Sequence, residues 1–339
     1  MIQVEGLAKS FRVHEKEPGL KGSLQSLFKR KWIVKHALKA VTFKVGPGEI
    51  VGVVGANGAG KTTLIKVLSG IIHPTSGKAK VLGYTPWERE TGFRKQIALI
   101  MGQKAQLWWD LPAADCFLLL REIYQIPPAR FAETLGYLTR TLDVGDQLKT
   151  QIRRLSLGER MKMELIAALL HQPRVVYLDE PTIGLDLTAQ VAIREFLLRY
   201  REQHQPAMLL TSHYMEDIER LCQRILVIQD GQLVYDGPLE RITRDHAQFK
   251  VITVRLTDER AFSLPAELGQ VQERVGDLLK VRALRGKVPD AAAYLLQNLA
   301  VADLTIEEQD ISSVIEGILS RKSAVPAAME PGSKGSSSP

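Results

Sequence analysis

The chain has 339 residues, 45% of them apolar and 24% charged, a composition typical of a folded protein long enough for two domains. Its net charge of +7 favours an acidic partner: a nucleotide, a nucleic acid or an anionic membrane surface. Cys116 and Cys222 lack metal spacing and the histidines form no H-x-x-x-H pair, which argues against a disulfide and a transition-metal site. Neither a long apolar run nor a signal-peptide pattern is found, so a cytoplasmic protein is predicted.

The first elements predicted are two strands separated by an insertion. Met1–Phe11 reads as an edge strand with a turn at Gly6, and Val41–Val45 reads as a second strand that ends in a Gly-Pro-Gly turn. The insertion, His14–Ala37, is basic and has apolar residues at helical spacing, namely Leu20, Leu24, Leu27 and Phe28. Two interpretations stay open: an amphipathic helix that rests on headgroups or a membrane protein, or a helix packed on its own domain.

A phosphate-binding loop follows the next strand. The apolar run Ile50–Val54 leads into GANGAGKTT, which fits the pattern G-x-x-x-x-G-K-[ST] between a buried strand and a helix. Glycines let successive backbone N–H groups converge on one anion, and the helix that starts near Lys61 adds the positive end of its dipole. Lys61 is expected to contact the β- and γ-phosphates, Thr62 to ligate Mg²⁺ and Thr63 to support the α-phosphate. The predicted nucleotide-binding residues of this loop are Gly55, Asn57, Gly58, Ala59, Gly60, Lys61, Thr62 and Thr63.

The middle of the chain is predicted to be mostly helical. Short strands are expected around Lys80–Leu82 and at Ile97–Met101, the second of which is followed by Gln103. Pro112–Gln172 reads as helical, with an interruption at Pro127-Pro128. Its apolar residues at helical spacing include Phe117, Leu118, Ile123, Leu138 and Leu142. Within this stretch the sequence LSLGE opens a helix, so the Ser156 hydroxyl and the helix N-terminus can form a second anion cradle.

Two apolar strands then end in polar residues. Val175–Leu178 and Met208–Thr211 indicate a parallel sheet covered on both faces. Asp179, at the end of the first strand, can hold Mg²⁺ through water, and Glu180 can act as general base on an attacking water. His213, after the second strand, is positioned to contact the γ-phosphate. The alternatives are structural: an acidic pair at a helix N-terminus, and a histidine at a strand end.

The C-terminal part changes character after a hairpin. Asp230-Gly231 separates two short strands, a hairpin signal. Lys250–Arg321 is predicted to be a small α+β domain whose last helix buries Ile311, Val314, Ile315, Ile318 and Leu319. Residues 323–339 are rich in Pro, Gly, Ser and Ala and are predicted to be disordered.

Taken in order, GANGAGKTT, Gln103, LSLGE, VVYLDEP, IGLD at Ile183–Asp186 and His213 resemble the nucleotide-binding subunit of an ABC transporter over residues 1 to about 240. The resemblance implies an α/β P-loop NTPase fold: a RecA-like core with an antiparallel β subdomain and a helical subdomain at residues 104–172. It implies ATP and Mg²⁺ as ligands. The implied catalytic residues are Lys61, Gln103, Glu180 and His213, and the implied Mg²⁺ ligands are Thr62, Gln103 and Asp179.

The resemblance also assigns residues outside the phosphate loop. By it, Phe11 stacks on adenine and Gln103 senses the γ-phosphate and the membrane partner. Ser156 and Gly158 cap the nucleotide held by a second subunit, and Asp186 lies in the loop that crosses the dimer interface. Two head-to-tail copies would place each serine turn on the other copy's γ-phosphate, so that hydrolysis lets the pair separate.

Two departures from the family pattern stand out. The usual signature is L-S-G-G-Q, whereas this chain has Leu155-Ser156-Leu157-Gly158-Glu159. Glu159 adds negative charge near a phosphate, which either slows closure or is neutralised by Arg160. The insertion at His14–Ala37 follows Phe11 directly and can re-aim the strand that carries this aromatic residue.

The subtype suggested by the resemblance is the ATPase of a type-2 ABC exporter. LSLGERMKMELIAALLHQP, QLWWDLP and the basic insertion are similar to that group. The partners implied are integral-membrane permeases, of one kind or of two different kinds, with the ATPase homodimer on the inner face of the membrane. Gln106–Trp109 lie where this family receives the permease's coupling helix; the alternative is that both tryptophans belong to the local core. The cargo expected is a polysaccharide, a lipid-linked glycan or a drug-like compound, and the C-terminal domain is similar to accessory domains of such ATPases.

Two other functions compete with transport. One is a soluble ABC-type ATPase that acts on nucleic acid or the ribosome, which the net charge of +7 permits. A single ATPase unit, without a long heptad arm or zinc spacing, argues against it, so no nucleic-acid partner is expected. The other is a P-loop kinase, which LSLGE and His213 argue against.

Overall fold

The computed structural model describes residues 1–14, 32–246, 248–258 and 262–320. Within these ranges three strands come first, and strands and helices are interspersed after them. The strands are β1 (Ile2–His14), β2 (Trp32–Val45), β3 (Ile50–Val54), β4 (Ser76–Val81), β5 (Ile97–Met101), β6 (Val175–Asp179), β7 (Ala207–Thr211), β8 (Arg224–Gln229), β9 (Gln232–Pro238), β10 (Phe249–Leu256), β11 (Gln270–Val275), β12 (Leu278–Leu284) and β13 (Val301–Glu308).

The helices in the same ranges are mostly short. They are α1 (Lys61–Leu68), α2 (Thr91–Arg94), α3 (Ala113–Tyr124), α4 (Pro128–Leu142), α5 (Leu157–Leu169), α6 (Leu187–His204), α7 (Met215–Leu221), α8 (Leu239–His246), α9 (Val288–Asn298) and α10 (Ile311–Ser320). None of them is both long and apolar enough to cross a bilayer.

The central sheet has six strands in the order β5-β6-β7-β3-β8-β9, parallel except for the β8–β9 hairpin. Strands β3, β6 and β7 are buried along their whole length, which explains their continuous apolar sequences. Alternate residues enter separate cores: Val176 and Leu178 face the helices, while Val175 and Tyr177 face β1, β2, β4 and α1. The parallel sheet, the strand at Ile97–Met101 and the hairpin at Asp230 are therefore confirmed.

The second sheet is antiparallel, in the order β2-β1-β4. β1 lies in the middle, so the prediction of an edge strand is wrong: Ile2–Ala8 pair with β4 on the side away from β2. The β1–β2 hairpin extends to a pair formed by His14 and Trp32. The insertion is therefore shorter than predicted, because Trp32–Ala37 belong to β2, where the apolar run WIV favours a strand. The predicted helix with Leu20, Leu24, Leu27 and Phe28 lies outside the described residues.

The helical subdomain contains α3, α4 and α5. Its break at Pro127-Pro128 is confirmed, with Pro127 as N-cap and Pro128 as the first residue of α4. Phe117, Leu138 and Leu142 are buried as predicted. Leu118 and Ile123 are exposed, contrary to the predicted stripe, because the buried face of α3 runs through Ala113, Cys116 and Phe117 and leaves them on the other side.

The C-terminal unit is a four-stranded antiparallel sheet, β11-β12-β10-β13, with α9 packed on it around its own buried cluster. β11 was not predicted; its six residues, QVQERV, are all exposed, so no buried face marks it in the sequence. The last helix differs from the prediction in its packing. Val314 and Ile315 of α10 join the core of the ATPase part, and the Gln229 side chain donates to Leu319 O at 2.6 Å. The small domain therefore ends before this helix.

Candidate nucleotide-binding and hydrolysis site

The phosphate loop connects β3 to α1 at the carboxyl edge of the central sheet. Two of its glycines are required by close backbone approach. A Cβ on Gly55 would lie 2.2 Å from Ile228 O, and one on Gly60 would lie 2.3 Å from Ala37 O. Gly60 also has φ of 115°, a left-handed conformation that glycine adopts readily. The loop is thus held in place by β8 and β2, with its N–H groups at the start of a helix.

Lys61 is buried at the first position of α1. Its Nζ donates to Gly55 O at 2.6 Å and to Ala56 O at 3.1 Å. Burial lowers the pKa of this ammonium, and the carboxylates of Glu180 and Asp179 oppose the shift. A phosphate held in the loop would add further negative charge beside Nζ and stabilise its protonated form.

Thr62 and Asp179 face each other beside the loop. Thr62 Oγ1 donates to Asp179 Oδ1 at 3.2 Å, and Thr211 Oγ1 donates to the same oxygen at 2.7 Å. Hydroxyl and carboxylate oxygens are the ligands that Mg²⁺ prefers, so Thr62 and Asp179 fit this ion. Among the described residues, no hydrogen bond joins this pair to Gln103, which the resemblance also proposes as a ligand. Its Nε2 donates instead to Glu180 Oε2, and its role as a metal ligand stays a prediction.

Glu180 lies between Gln103 and His213. Its Oε2 accepts from Gln103 Nε2 at 2.9 Å, and its Oε1 lies 2.7 Å from His213 Nε2. The Glu180 backbone has φ of 57°, which is unusual for a residue with a side chain. Hydrogen bonds from its N–H to the Thr211 carbonyl and hydroxyl, at 3.0 and 3.1 Å, hold this conformation. Glu180 therefore contacts two of the other predicted catalytic side chains, Gln103 and His213.

The signature turn is a complete capping box at the start of α5. Ser156 N and Oγ donate to Glu159 Oε2 at 2.9 and 2.8 Å, and Glu159 N donates back to Ser156 Oγ at 3.3 Å. The hydrogen bonds from Ser156 lower the pKa of Glu159, and Lys162 adds to this shift. The predicted neutralisation of Glu159 by Arg160 does not occur: the Arg160 guanidinium lies over the Trp109 ring, 5.3 Å from its centroid.

The turn shares one surface with the loop that ends at Asp186. Asp186 caps α6, since its Oδ1 accepts from Ala189 N at 2.8 Å. A Cβ on Gly158 would lie 3.0 Å from the Ala189 side chain, so the signature turn packs directly on α6. Three apolar side chains on this surface are exposed: Leu157, Leu187 and Val191. No hydrogen bond or ion pair among the described residues joins this surface to Lys61 of the same chain.

Phe11 lies in β1, opposite Lys35 of β2. Lys35 is two residues from Ala37, whose carbonyl touches Gly60, so Phe11 is close to the phosphate loop along the hairpin. The Lys9 ammonium lies 5.0 Å from the centroid of its ring. Its role in adenine stacking stays a prediction.

A groove of about 330 Å³ separates the central sheet from the helical subdomain. It is lined mainly by apolar and aromatic residues, among them Ile71, Leu99, Leu107, Trp108, Leu120 and Tyr124. Trp108 and Trp109 are 43% and 50% exposed, which excludes the alternative that both belong to the local core. At the bottom of the groove the buried Glu164 carboxylate of α5 accepts from Gln106 N at 2.8 Å and Leu107 N at 3.2 Å.

Several residues of the site were not predicted from the sequence. Thr211 pairs with Asp179 across β6 and β7, and its hydroxyl contacts both carboxylate residues. Its position at the end of a buried strand opposite Asp179 is the signal that could have found it. Thr182, Arg194, Ser212 and Asp217 form a buried polar network below Glu180 and His213 that no motif predicted.

Comparisons with known proteins identify the family. A family model described as ABC transporter matches residues 38–183, and one described as the C-terminal domain of EvrA-like ABC transporters matches residues 248–307. An uncharacterized ABC transporter ATP-binding protein of Methanocaldococcus jannaschii is 31% identical over 221 residues, 64% of this chain and 78% of the relative. The ABC transporter ATP-binding protein NatA of Bacillus subtilis is 28% identical over 215 residues, 63% of this chain and 87% of the relative.

Solved structures give the same result for the fold. A structure of the ATP-binding subunit of an ABC transporter is 26% identical and superposes with a TM-score of 0.60, covering 72% of this chain and 92% of the other. A dimeric ATP-binding cassette bound to ADP and Pi, in a post-hydrolysis state, is 19% identical with a TM-score of 0.58 and supports the fold. It covers 70% of this chain and 98% of the other.

Fold and site thus define a P-loop ATPase that binds ATP with Mg²⁺. More narrowly, the chain belongs to the ATP-binding subunits of ABC transporters.

The geometry accounts for the hydrolysis of ATP by this class of protein. The loop N–H groups and Lys61 are placed to bind the phosphates. Thr62 and Asp179 would hold Mg²⁺, which would neutralise charge on the phosphate oxygens. Glu180 would accept a proton from water as the water oxygen bonds to the γ-phosphorus and the bond from the γ-phosphorus to the oxygen of the ADP leaving group breaks. His213 is adjacent to this carboxylate and can donate to the departing phosphate.

Proposed function

We propose that this chain is the ATPase of a type-2 ABC exporter, acting as a homodimer on separate membrane permeases at the inner face of the membrane. The nucleotide sites are composite: the phosphate loop of one copy is completed by the Ser156 turn of the other. The observation that carries this proposal is the separation of two anion-binding turns within one chain, each at a helix N-terminus.

The surface around Ser156 supports a second copy as its partner. Leu157, Leu187 and Val191 are exposed there, next to the capped start of α6 at Asp186. An apolar surface beside a helix N-terminus suits a partner that brings both apolar contacts and an anion. A second copy with nucleotide in its phosphate loop provides both.

The groove that contains Trp108 is proposed to receive a short helix of the permease. Exposed tryptophans at the rim of an apolar groove are typical of protein interfaces. The groove begins three residues after Gln103, whose side chain touches Glu180. A helix seated there can therefore act on the catalytic carboxylate through a short stretch of backbone.

The proposed cargo is an apolar or amphiphilic, drug-like compound. Among the relatives, the linearmycin resistance ATP-binding protein LnrL of Bacillus subtilis is 33% identical over 213 residues, 62% of this chain and 67% of the relative. Polysaccharide or lipid-linked glycan, the other cargo expected from sequence, has no comparable support among these relatives.

A mixing experiment tests the composite site. Lys61→Ala and Ser156→Ala each destroy one part of it, so each variant alone is expected to have strongly reduced ATPase activity. A mixed dimer keeps one intact site, built from the Ser156→Ala copy's phosphate loop and the Lys61→Ala copy's serine turn. Mixing the two variants should restore up to about a quarter of wild-type ATPase activity, because half of randomly formed dimers have one intact site of two. No restoration by mixing, together with full activity of Ser156→Ala alone, would contradict the proposal.

The permease contact is tested separately. Trp108→Ala should lower recovery of co-expressed permease and its stimulation of ATPase activity, while basal turnover of the isolated ATPase stays unchanged. Leu296→Ala removes a similarly exposed apolar side chain from the C-terminal unit and serves as control. Equal permease recovery with Trp108→Ala and wild type would rule out the groove as the docking site.

A further inference from the structure

We propose that Asp217 is a positioning residue for ATP hydrolysis, which ties the loop that carries Glu180 to the loop that carries His213. Asp217 lies on α7 and is completely buried. Among the described residues it makes no hydrogen bond or ion pair with the predicted ligand residues or the phosphate loop, and it acts through hydroxyl groups of the two catalytic loops.

One carboxylate oxygen joins the two loops. Asp217 Oδ2 accepts a hydrogen bond from Thr182 Oγ1 and another from Ser212 Oγ at 2.5 Å. Thr182 is two residues after Glu180, and Ser212 immediately precedes His213. Both hydroxyls are buried, so water does not compete for these bonds.

The two loops need such a tether because neither is regular. Glu180 has a left-handed backbone at φ of 57°, and the following residues form a turn, with Ile183 N donating to Glu180 O at 3.3 Å. In the loop that carries His213, Ser212 Oγ accepts from Tyr214 N at 3.0 Å, so this hydroxyl bonds the backbone on the far side of His213. The catalytic contact between Glu180 and His213 depends on the relative position of these loops.

Arg194 holds the carboxylate in place. Its Nε donates to Asp217 Oδ1 at 2.6 Å, and both side chains are almost fully buried. Buried ion pairs give little net stability compared with an apolar pair of the same volume, but they do fix geometry. Arg194 also donates to Gln190 Oε1 at 3.1 Å, and Gln190 donates to Leu185 O at 3.2 Å, which anchors the network to α6.

The test removes each hydroxyl separately. Thr182→Val is nearly isosteric and cuts the tether to the Glu180 loop. Ser212→Ala cuts the tether to the His213 loop and also removes the acceptor of Tyr214 N. Each is expected to lower kcat about 10-fold, with the KM for ATP and the affinity for ADP changed less than about twofold, because misplacement affects the reaction more than binding. Combining both should lower kcat less than the product of the single effects, since they share one carboxylate.

A control variant separates positioning from folding. Thr139→Val, which removes a buried hydroxyl bonded only within α4, is the control for generic loss of stability and should keep wild-type kcat. Asp217→Asn should lower kcat further than either single variant; if it fails to fold, the two hydroxyl variants still decide. Wild-type kcat in both Thr182→Val and Ser212→Ala would overturn the proposal, as would equal losses in Thr139→Val.

Discussion

The two anion-binding turns of this chain start helices in the same way but are held by different contacts. The phosphate loop is fixed by distant parts of the fold: Gly55 lies against Ile228 of β8, and Gly60 lies against Ala37 of β2. The Ser156 turn is held by Glu159, three residues away on the same helix. One turn is therefore shaped by tertiary structure and the other by local sequence.

The hydrogen-bond donors of the two turns also differ in the groups to which they donate. In the phosphate loop, Lys61 donates to two carbonyls of its own loop, which a phosphate can replace without displacing an anion. In the Ser156 turn, the carboxylate of Glu159 already accepts from the serine N–H and hydroxyl. An incoming phosphate must displace this carboxylate. We infer that ATP is bound first by the phosphate loop and only afterwards by the serine turn.

The largest effect is expected at the base. Glu180→Gln should lower ATP turnover about 1,000-fold, because an amide cannot accept the proton from water, while ATP binding to the phosphate loop is kept. Steady-state phosphate release and equilibrium binding of ATP measure the two quantities. Glu122→Gln, an exposed exchange on α3, should change neither. Undiminished turnover in Glu180→Gln would remove Glu180 from the mechanism.

The second prediction separates the two turns. Ser156→Ala should lower turnover about 30-fold and leave the affinity of the isolated chain for ATP unchanged, because only the closed state uses this hydroxyl. The helix cap is lost too, so the free energy of unfolding should fall by about 1 kcal/mol. Titration with ATP and urea unfolding measure both. A tenfold loss of ATP affinity in the monomer would contradict the proposed order of binding.

The third prediction concerns His171, which joins the central sheet to the helical subdomain at the groove that contains Trp108. Its Nε2 lies 2.9 Å from Ile97 O of the sheet, and its ring stacks on Tyr124 of α3 at 3.9 Å. Burial lowers the pKa of His171 to about 4. Between this value and the ordinary 6.5 the unfolded chain binds more protons than the folded one, so stability falls as pH falls.

At pH 5 the loss of unfolding free energy relative to neutral pH should be about 2 kcal/mol from this group alone. His171→Gln should remove that part of the pH dependence in urea unfolding at pH 7 and pH 5. His36→Gln, on the exposed part of β2, is the matched control. A wild-type pH dependence in His171→Gln would show that the groove histidine is not responsible.

The comparison of the two turns also explains how much of the molecule could be predicted from sequence. Local patterns were sufficient for the phosphate loop, the carboxylates after β6 and the capped start of α5, because their chemistry is carried by residues close in the chain. The parallel sheet was predictable because β3, β6 and β7 are continuous apolar runs.

What was missed depends on contacts between residues far apart in sequence. The central place of β1 follows from its pairing with β4, some 70 residues later, and the edge-strand prediction had no access to it. The Asp217 network joins hydroxyls 35 and 5 residues away, without any motif. The packing of α10 on the ATPase part could not be predicted either, because an apolar helix face does not indicate which apolar surface it will contact.

The smallest effect is expected for Glu159→Gln, which tests whether the serine turn is occupied by its own carboxylate. Glutamine can keep the capping box, so the change removes charge with little change in shape. Without the carboxylate, a phosphate displaces a neutral group, and turnover at low ATP concentration should rise about threefold. The gain should shrink at high salt, because the group is exposed and its field is screened.

The same variant has a predictable effect on stability. Hydrogen bonds from Ser156 lower the pKa of Glu159, so the charged form stabilises the fold above its unfolded pKa and this contribution is lost as pH falls through the folded pKa. Glu159→Gln should therefore be less stable at pH 7, by about 0.5 kcal/mol after screening, and match wild type in strong acid. Glu195→Gln, an exposed exchange on α6, is the control for turnover and stability. Lower turnover in Glu159→Gln at every salt concentration would mean that the carboxylate assists closure, and the proposed occupation of the turn by Glu159 would then be wrong.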